Sequence, residues 1–185
     1  MIEMMNLDND ITASINFLAG QYPALDLAAI FVAKYVIFLL VFSIAATWFF
    51  KSDRATLRFR AISCGLAVAV GLVLNQGILH LVSRVRPYDL GVTHLIVEKS
   101  ADPSFPSDHA TVVFAIAFML IVLRDRFAIP YLIIATVVAL ARVFVGVHFF
   151  SDVVGGSMTA IIGTVVVRIL YKSNSRLNNF LCGFL

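Results

Sequence analysis

Three short segments of this chain carry side chains whose types and spacing suit phosphorus chemistry. Arg86 precedes Pro87, Ser107 and His109 close the run Pro103-Ser-Phe-Pro-Ser-Asp-His109, and Arg142 is followed six residues later by His148, then four later by Asp152. A guanidinium grips a phosphate through two parallel hydrogen bonds. An imidazole can attack phosphorus or carry a proton near neutral pH, and a carboxylate beside it fixes which ring nitrogen holds the proton. His148 and Asp152 can meet across one helical turn; Asp152 can equally cap the helix that follows. Pro106 suits a first helical turn, with Ser104 or Ser107 as its cap, and a helix start of this kind directs free N–H groups at an anion. Together these residues offer charge stabilisation, a nucleophile and a proton donor, the parts that phosphoryl transfer needs.

The elements that position them are apolar. Of 185 residues 61% are hydrophobic and 14% charged, too apolar for a domain with a hydrated surface. A hydrocarbon core of about 30 Å takes roughly 20 helical residues to cross. Stretches of that kind are predicted at Leu27 to Phe50, Ala61 to Val82, Asp108 to Leu123, Phe127 to Val147 and Val153 to Tyr171. They are long and continuous, not short and alternating, so the fold class is all-α, a polytopic membrane bundle rather than a barrel. The chain reads as one membrane-embedded domain over 1–185, with 1–24 an interfacial segment in which Leu7, Ile11, Ile15 and Leu18 recur at helical spacing over a helix at 7–20. No basic start followed by an apolar run marks a cleaved signal.

Charge divides the connections into two faces. Lys51, Arg54, Arg58, Arg60, Arg124, Arg126, Arg168, Lys172 and Arg176 share one face with only Asp53 and Asp125. The excess of basic residues predicts that this face is cytoplasmic and the C-terminus with it. The other face carries Arg84, Arg86, Lys99 and Arg142 among nine acids, and all four histidines, His80, His94, His109 and His148. Ends of blocks two and four and starts of blocks three and five therefore meet on the outward side, which is where a site is expected. A charge such as Arg142 at the membrane edge needs a partner, and phosphate fits. Cys64 and Cys182 make neither a disulfide framework nor a metal-type spacing. No acidic metal cage is apparent.

The Arg86-Pro87 pair, Pro106-Ser-Asp-His109 and Arg142-x5-His148-x3-Asp152 resemble the three signature motifs of the type-2 phosphatidate phosphatase superfamily, and the longer strings most resemble its bacitracin-resistance-type undecaprenyl-diphosphate phosphatases. The resemblance implies a cofactor-free, metal-independent hydrolysis of undecaprenyl diphosphate to the monophosphate at the outer side of a bacterial cytoplasmic membrane. In it His148 attacks to form a phosphohistidine, Asp152 orients His148, His109 protonates the leaving oxygen and later activates water, and Arg86, Ser107 and Arg142 hold phosphate oxygens. Implied partners are the bilayer and a polyprenyl diphosphate, with no nucleic acid; the oligomeric state is left open. Other lipids carrying a phosphate, or binding and flipping without turnover, are the alternatives.

Two positions depart from the general superfamily pattern. Asp108 stands where glycine is usual, and Leu79 stands where a lysine is expected seven residues before Arg86. Lys34, several residues inside the outer end of the first block, is one candidate for the missing cation, and His80 is another. Lys34 can alternatively snorkel to the interface or pair with Asp26 or another acid. Gly155, Gly156 and Gly163 are expected to permit close helix packing.

Overall fold

The computed structural model describes residues 2–50 and 53–173. Lys51, Arg176 and Cys182 lie outside them. The described residues form α1 (Ile2–Asn16), α2 (Pro23–Ala46) continued by the 3-10 turn Thr47–Phe49, α3 (Arg54–Leu81), α4 (Asp108–Val122), α5 (Ala128–Phe144) and α6 (Phe150–Leu170), with no strand among them. The all-α reading therefore holds, and the five apolar blocks correspond to α2 through α6.

Their ends differ from the predicted ones for identifiable reasons. α3 begins seven residues before Ala61, because its basic first turns are held by neighbours: Arg58 lies over the Trp48 ring at 4.9 Å, and Arg60 pairs with Asp125. The N-terminal helix starts at Ile2 and stops at Asn16, short of the expected residue 20. There Gly20, at φ +82°, turns the chain, its N–H bonded to the Asp26 carboxylate at 3.1 Å, and Pro23 opens α2.

α2 with its 3-10 turn, α3 and α6 are long and apolar enough to cross a bilayer. α4 and α5 have 15 and 17 residues, about 22 and 25 Å of helix, short of the five full crossings expected. The reason lies in packing. α4 is enclosed by α3, α5 and α6, and Ala110, Val113, Ala115 and Ala117 along it are wholly buried. A helix that faces protein needs no complete lipid-facing length, since its backbone is satisfied internally. The lipid-type surface is on the outer helices, where Phe38 and Phe42 of α2 and Ile161 and Ile162 of α6 stand exposed. The chain is an integral membrane protein.

Small residues set the helix spacing. A Cβ on Gly156 would lie 2.5 Å from the Ser107 carbonyl oxygen, and one on Gly163 2.6 Å from that of Ala67. α6 thus reaches α4 and α3 backbone to backbone, as close-packed membrane helices do. Across the same junction Asn75 of α3 donates to Asp108 at 2.7 Å and to the Thr111 hydroxyl at 2.8 Å, satisfying polar groups that lipid could not. At one end of the bundle Phe59 stacks on Tyr171 and Arg60 pairs with Asp125. At the other, the last turns of α3 and α5 meet the first turns of α4 and α6, with the 83–107 connection folded over them.

Candidate active site

His148 precedes α6 and is 4% exposed. Its Nδ1 lies 2.9 Å from the Ser104 carbonyl oxygen. A carbonyl can only accept, so this bond requires the proton on Nδ1 and leaves the lone pair on Nε2. The Asp152 carboxylate was expected to set this tautomer directly. Its Oδ2 stands farther off, 3.5 Å from Nδ1, and is spent on the Phe149 N–H at 2.8 Å and on the Ser104 hydroxyl. Asp152 therefore caps the first turn of α6 by accepting the Phe149 N–H, and it holds Ser104, whose carbonyl faces the imidazole. Asp152 is the third residue of α6, with Phe149 at the N-cap position. Burial pushes the His148 imidazole below its usual range; Asp152 pulls it up, while Arg142 and Arg86 push it down.

A cavity of about 260 Å³ opens beside His148, lined among others by Arg86, His109, Arg142, Asp108 and Leu79. The structure thus brings two guanidiniums and two imidazoles to one small space. The two arginines differ in what they have left to give. Arg86 is 7% exposed and donates to Asp102 O and Val147 O at 2.8 Å, to Ser100 Oγ at 3.1 Å and to Pro103 O at 3.4 Å. It staples the 83–107 connection to the loop that carries His148. Arg142 makes one long bond, to Ala33 O at 3.4 Å, and its Nε is buried with no partner. An unspent buried donor on a cavity wall suits an anion.

Two helix-start expectations are corrected, and for Lys34 and His80 the structure shows the surroundings of each candidate. Pro106 lies before α4 rather than in its first turn, since that helix begins at Asp108. Ser107 is the N-cap by position, yet neither its hydroxyl nor that of Ser104 caps the helix; the Ser107 N–H goes to the Asp152 carbonyl at 3.1 Å and its Oγ is buried without a partner. Lys34 does not reach the cavity wall, because it pairs with Glu98 on the connection above it. His80 stands exposed on the last turn of α3, while its neighbour Leu79 occupies the wall where a lysine was sought.

Three residues of the site escaped the sequence reading. Ser104 reads from the sequence only as a helix cap. Arg84 donates to Asp152 Oδ1 at 2.6 Å, and Asp8 of α1 takes the other arm of Arg84 at 2.6 Å. Asp108, the departure from glycine, lines the cavity as an acid steadied by Asn75. Among the described residues no group of three or more His, Cys, Asp or Glu is arranged to hold a metal ion.

A sequence model of the PAP2 superfamily matches residues 60–178, which include all three motif segments. The chain belongs to the PAP2 superfamily. Within it, the undecaprenyl-diphosphatase BcrC of Bacillus subtilis (strain 168) is 28% identical over 156 residues, 84% of this chain and 80% of that one. The bacitracin transport permease protein BcrC of Bacillus licheniformis is 26% identical over 87% of this chain and 79% of its own. The crystal structure of a transmembrane PAP2 type phosphatidylglycerolphosphate phosphatase from Bacillus subtilis superposes with a TM-score of 0.69 at 22% identity, covering 95% of this chain and 90% of that one. The PAP2 helical arrangement thus extends over nearly the whole chain.

Proposed function

We propose that this protein hydrolyses the terminal phosphate of undecaprenyl diphosphate through a phosphohistidine on His148. The observation that carries the reading is the bond from His148 Nδ1 to the Ser104 carbonyl, which turns an unprotonated Nε2 toward chemistry beside two guanidiniums and a second imidazole. The substrate follows from the relative named undecaprenyl-diphosphatase, similar over 84% of this chain.

In the first step the Nε2 lone pair forms a bond to the terminal phosphorus. The bond from that phosphorus to the bridging oxygen breaks, its electron pair staying on the oxygen, which takes a proton from His109. Arg142 and Arg86 stabilise the charge that spreads over the equatorial oxygens, with the Ser107 hydroxyl as a further donor. In the second step water gives a proton to His109 and attacks phosphorus. The phosphorus–nitrogen bond breaks, and its pair returns to Nε2. Asp152 and Ser104 keep Nδ1 protonated throughout, so that the imidazolium formed by attack is stabilised where it stands.

The site faces outward in this account. Arg58, Arg60, Arg124, Arg126, Arg168 and Lys172 sit at the opposite end of the bundle, and the excess of basic residues there supports a cytoplasmic location for that end. A bacterial cytoplasmic membrane is the setting that fits. One relative is named a bacitracin transport permease protein, a transporter rather than a hydrolase, and the second reading is binding and movement of a lipid phosphate without cleavage. Such a binder needs the two guanidiniums but has no use for a histidine of fixed tautomer.

Purified protein in mixed micelles, offered the C55 diphosphate, phosphatidylglycerophosphate and phosphatidate, is expected to release phosphate fastest from the first. No release from the C55 diphosphate, or full turnover by His148→Ala, would overturn the proposal.

A further inference from the structure

The sequence suggested that α1 merely rests its apolar side on the membrane surface. Its polar residues Asp8, Thr12 and Asn16 recur at four-residue spacing and form one face of the helix. Thr12 and Asn16 are buried, while Leu7 and Phe17 are 60% and 70% exposed. The polar face is therefore the one turned to the protein. The Asn16 side chain donates to His94 O at 2.9 Å and Phe144 O at 2.6 Å, and Thr12 Oγ1 accepts the Phe150 N–H at 3.0 Å. Asp8 goes further. Its Oδ1 accepts the Ser151 N–H at 2.9 Å, and its Oδ2 accepts from the Ser151 hydroxyl and from Arg84 Nη2, each at 2.6 Å.

Arg84 is held from every side. Its guanidinium lies over the Phe149 ring at 3.9 Å, Nη1 donates to Asp152 Oδ1 and Ser151 Oγ at 2.6 Å, and its backbone carbonyl accepts the Ser104 N–H at 2.9 Å. Asp152 is wholly buried, so the Arg84 cation is what compensates its charge. The two groups that face His148 Nδ1, the Ser104 carbonyl and the Asp152 carboxylate, thus both hang on Arg84.

We infer that Asp8 and Arg84 are positioning residues of the phosphatase reaction, a relay by which α1 fixes the Ser104–Asp152 pair that orients His148. The inference rests on His148 being the nucleophile. Neither residue touches the reacting atoms; Asp8 locks the rotamer of Arg84, and Arg84 both places and neutralises Asp152. Leu7 and Phe17 on the outer side of α1 stand exposed beside the polar Asp10 and Ser14.

The relay makes a signed prediction about pH. His148 is faced by Asp152 from α6, by Arg142 from α5, by His109 from α4 and by Arg86 from the 83–107 connection. Removing Arg84 leaves the Asp152 charge uncompensated, which favours the His148 imidazolium, so the acid limb of the kcat profile moves up. Removing the Asp8 charge gives all of Arg84 to Asp152, and the limb moves down. Shifts on the order of half a unit or more are expected in opposite directions.

Asp8→Asn, Arg84→Gln, Thr12→Val and His148→Gln, purified as full chains, are assayed for kcat, KM and pH dependence on the C55 diphosphate. Asp8→Asn and Arg84→Gln are expected to lose roughly ten- to a hundredfold in kcat with KM nearly unchanged, as misplacement of a catalytic group produces. Asp8→Glu is expected to recover part of that loss. Thr12→Val, which weakens the docking of α1 without touching Arg84, is expected to keep the wild-type acid limb. Equal losses in all three α1-contact variants with no opposed shift would overturn the relay and leave only helix docking. Wild-type kcat and limb in Asp8→Asn, with His148→Gln inactive, would also overturn the relay while sparing the nucleophile assignment. An active His148→Gln would instead defeat the functional reading on which the relay stands.

Discussion

Arg142 and Arg86 share one cavity, yet their substitutions should fail in different ways. Arg142 spends one long bond on the protein, so its donors are available to phosphate. A charge-assisted hydrogen bond is worth about 1.5–3 kcal/mol. Arg142→Lys exchanges a two-pronged contact for a single one and should lose roughly ten- to a hundredfold in kcat/KM, at about 1.4 kcal/mol per tenfold. Arg142→Ala loses both bonds, about 3–6 kcal/mol or two to four powers of ten, and should unfold at the wild-type temperature or higher. Arg86→Ala strips the donors from two carbonyls 2.8 Å away in a site 7% exposed. Two buried acceptors without partners cost roughly 2–6 kcal/mol of stability. Phosphate release from the C55 diphosphate gives the kinetic numbers, and thermal unfolding in the same detergent gives the stabilities. If Arg142→Ala unfolded as early as Arg86→Ala, or if Arg142→Lys kept wild-type kcat/KM, the division between phosphate holder and loop staple would be wrong.

Further expectations follow from the same geometry. Neutral His148 is the attacking form, and burial lowers its pKa, so a lower pH is needed to protonate it. The acid limb of the kcat profile, where His148 takes up a proton, should therefore lie below about 6.5, the usual histidine value; an acid limb above that value would contradict the burial argument. Gly156→Ala places a Cβ 2.5 Å from the Ser107 carbonyl oxygen, so α4 and α6 must part. A loss of about 1–3 kcal/mol in stability is expected, with kcat reduced as well; an unchanged melting temperature would show that the helix junction can yield. Lys34→Met removes only an ion pair with Glu98, whose side chain is 81% exposed, and should leave kcat and KM as they were. A tenfold loss there would return Lys34 to the site.

What could be read from the chain alone depended on the range of the interaction. The membrane helices were legible because hydropathy is summed over a whole block, and the end of the bundle holding the histidines followed from connectivity. The spacing of Arg142, His148 and Asp152 is local, and the structure keeps those three residues together around the α5–α6 turn. Contacts between distant positions left no such trace. Lys34 finds Glu98 across 64 residues, and Arg84 is bound by Asp8 across 76. Spacing therefore could not choose between snorkelling and a site role for Lys34, and it passed over Asp8. The serines failed differently. Capping preference led to a hydroxyl over the start of α4, but the Asp152 carbonyl takes the Ser107 N–H and the Asp152 carboxylate takes the Ser104 hydroxyl. A polar periodicity at positions 8, 12 and 16 was present in the sequence; it was outweighed by the apolar one at 7, 11, 15 and 18.

The central claim is that phosphorus bonds to His148 Nε2 during turnover. Wild-type protein is mixed with C55 diphosphate labelled in its terminal phosphate, quenched in alkali at times within the first turnover and digested. The account predicts acid-labile label on the peptide that contains His148, absent from a His148→Gln control. Turnover of the same lipid by the wild-type protein with no label on His148 at any quench time would contradict it.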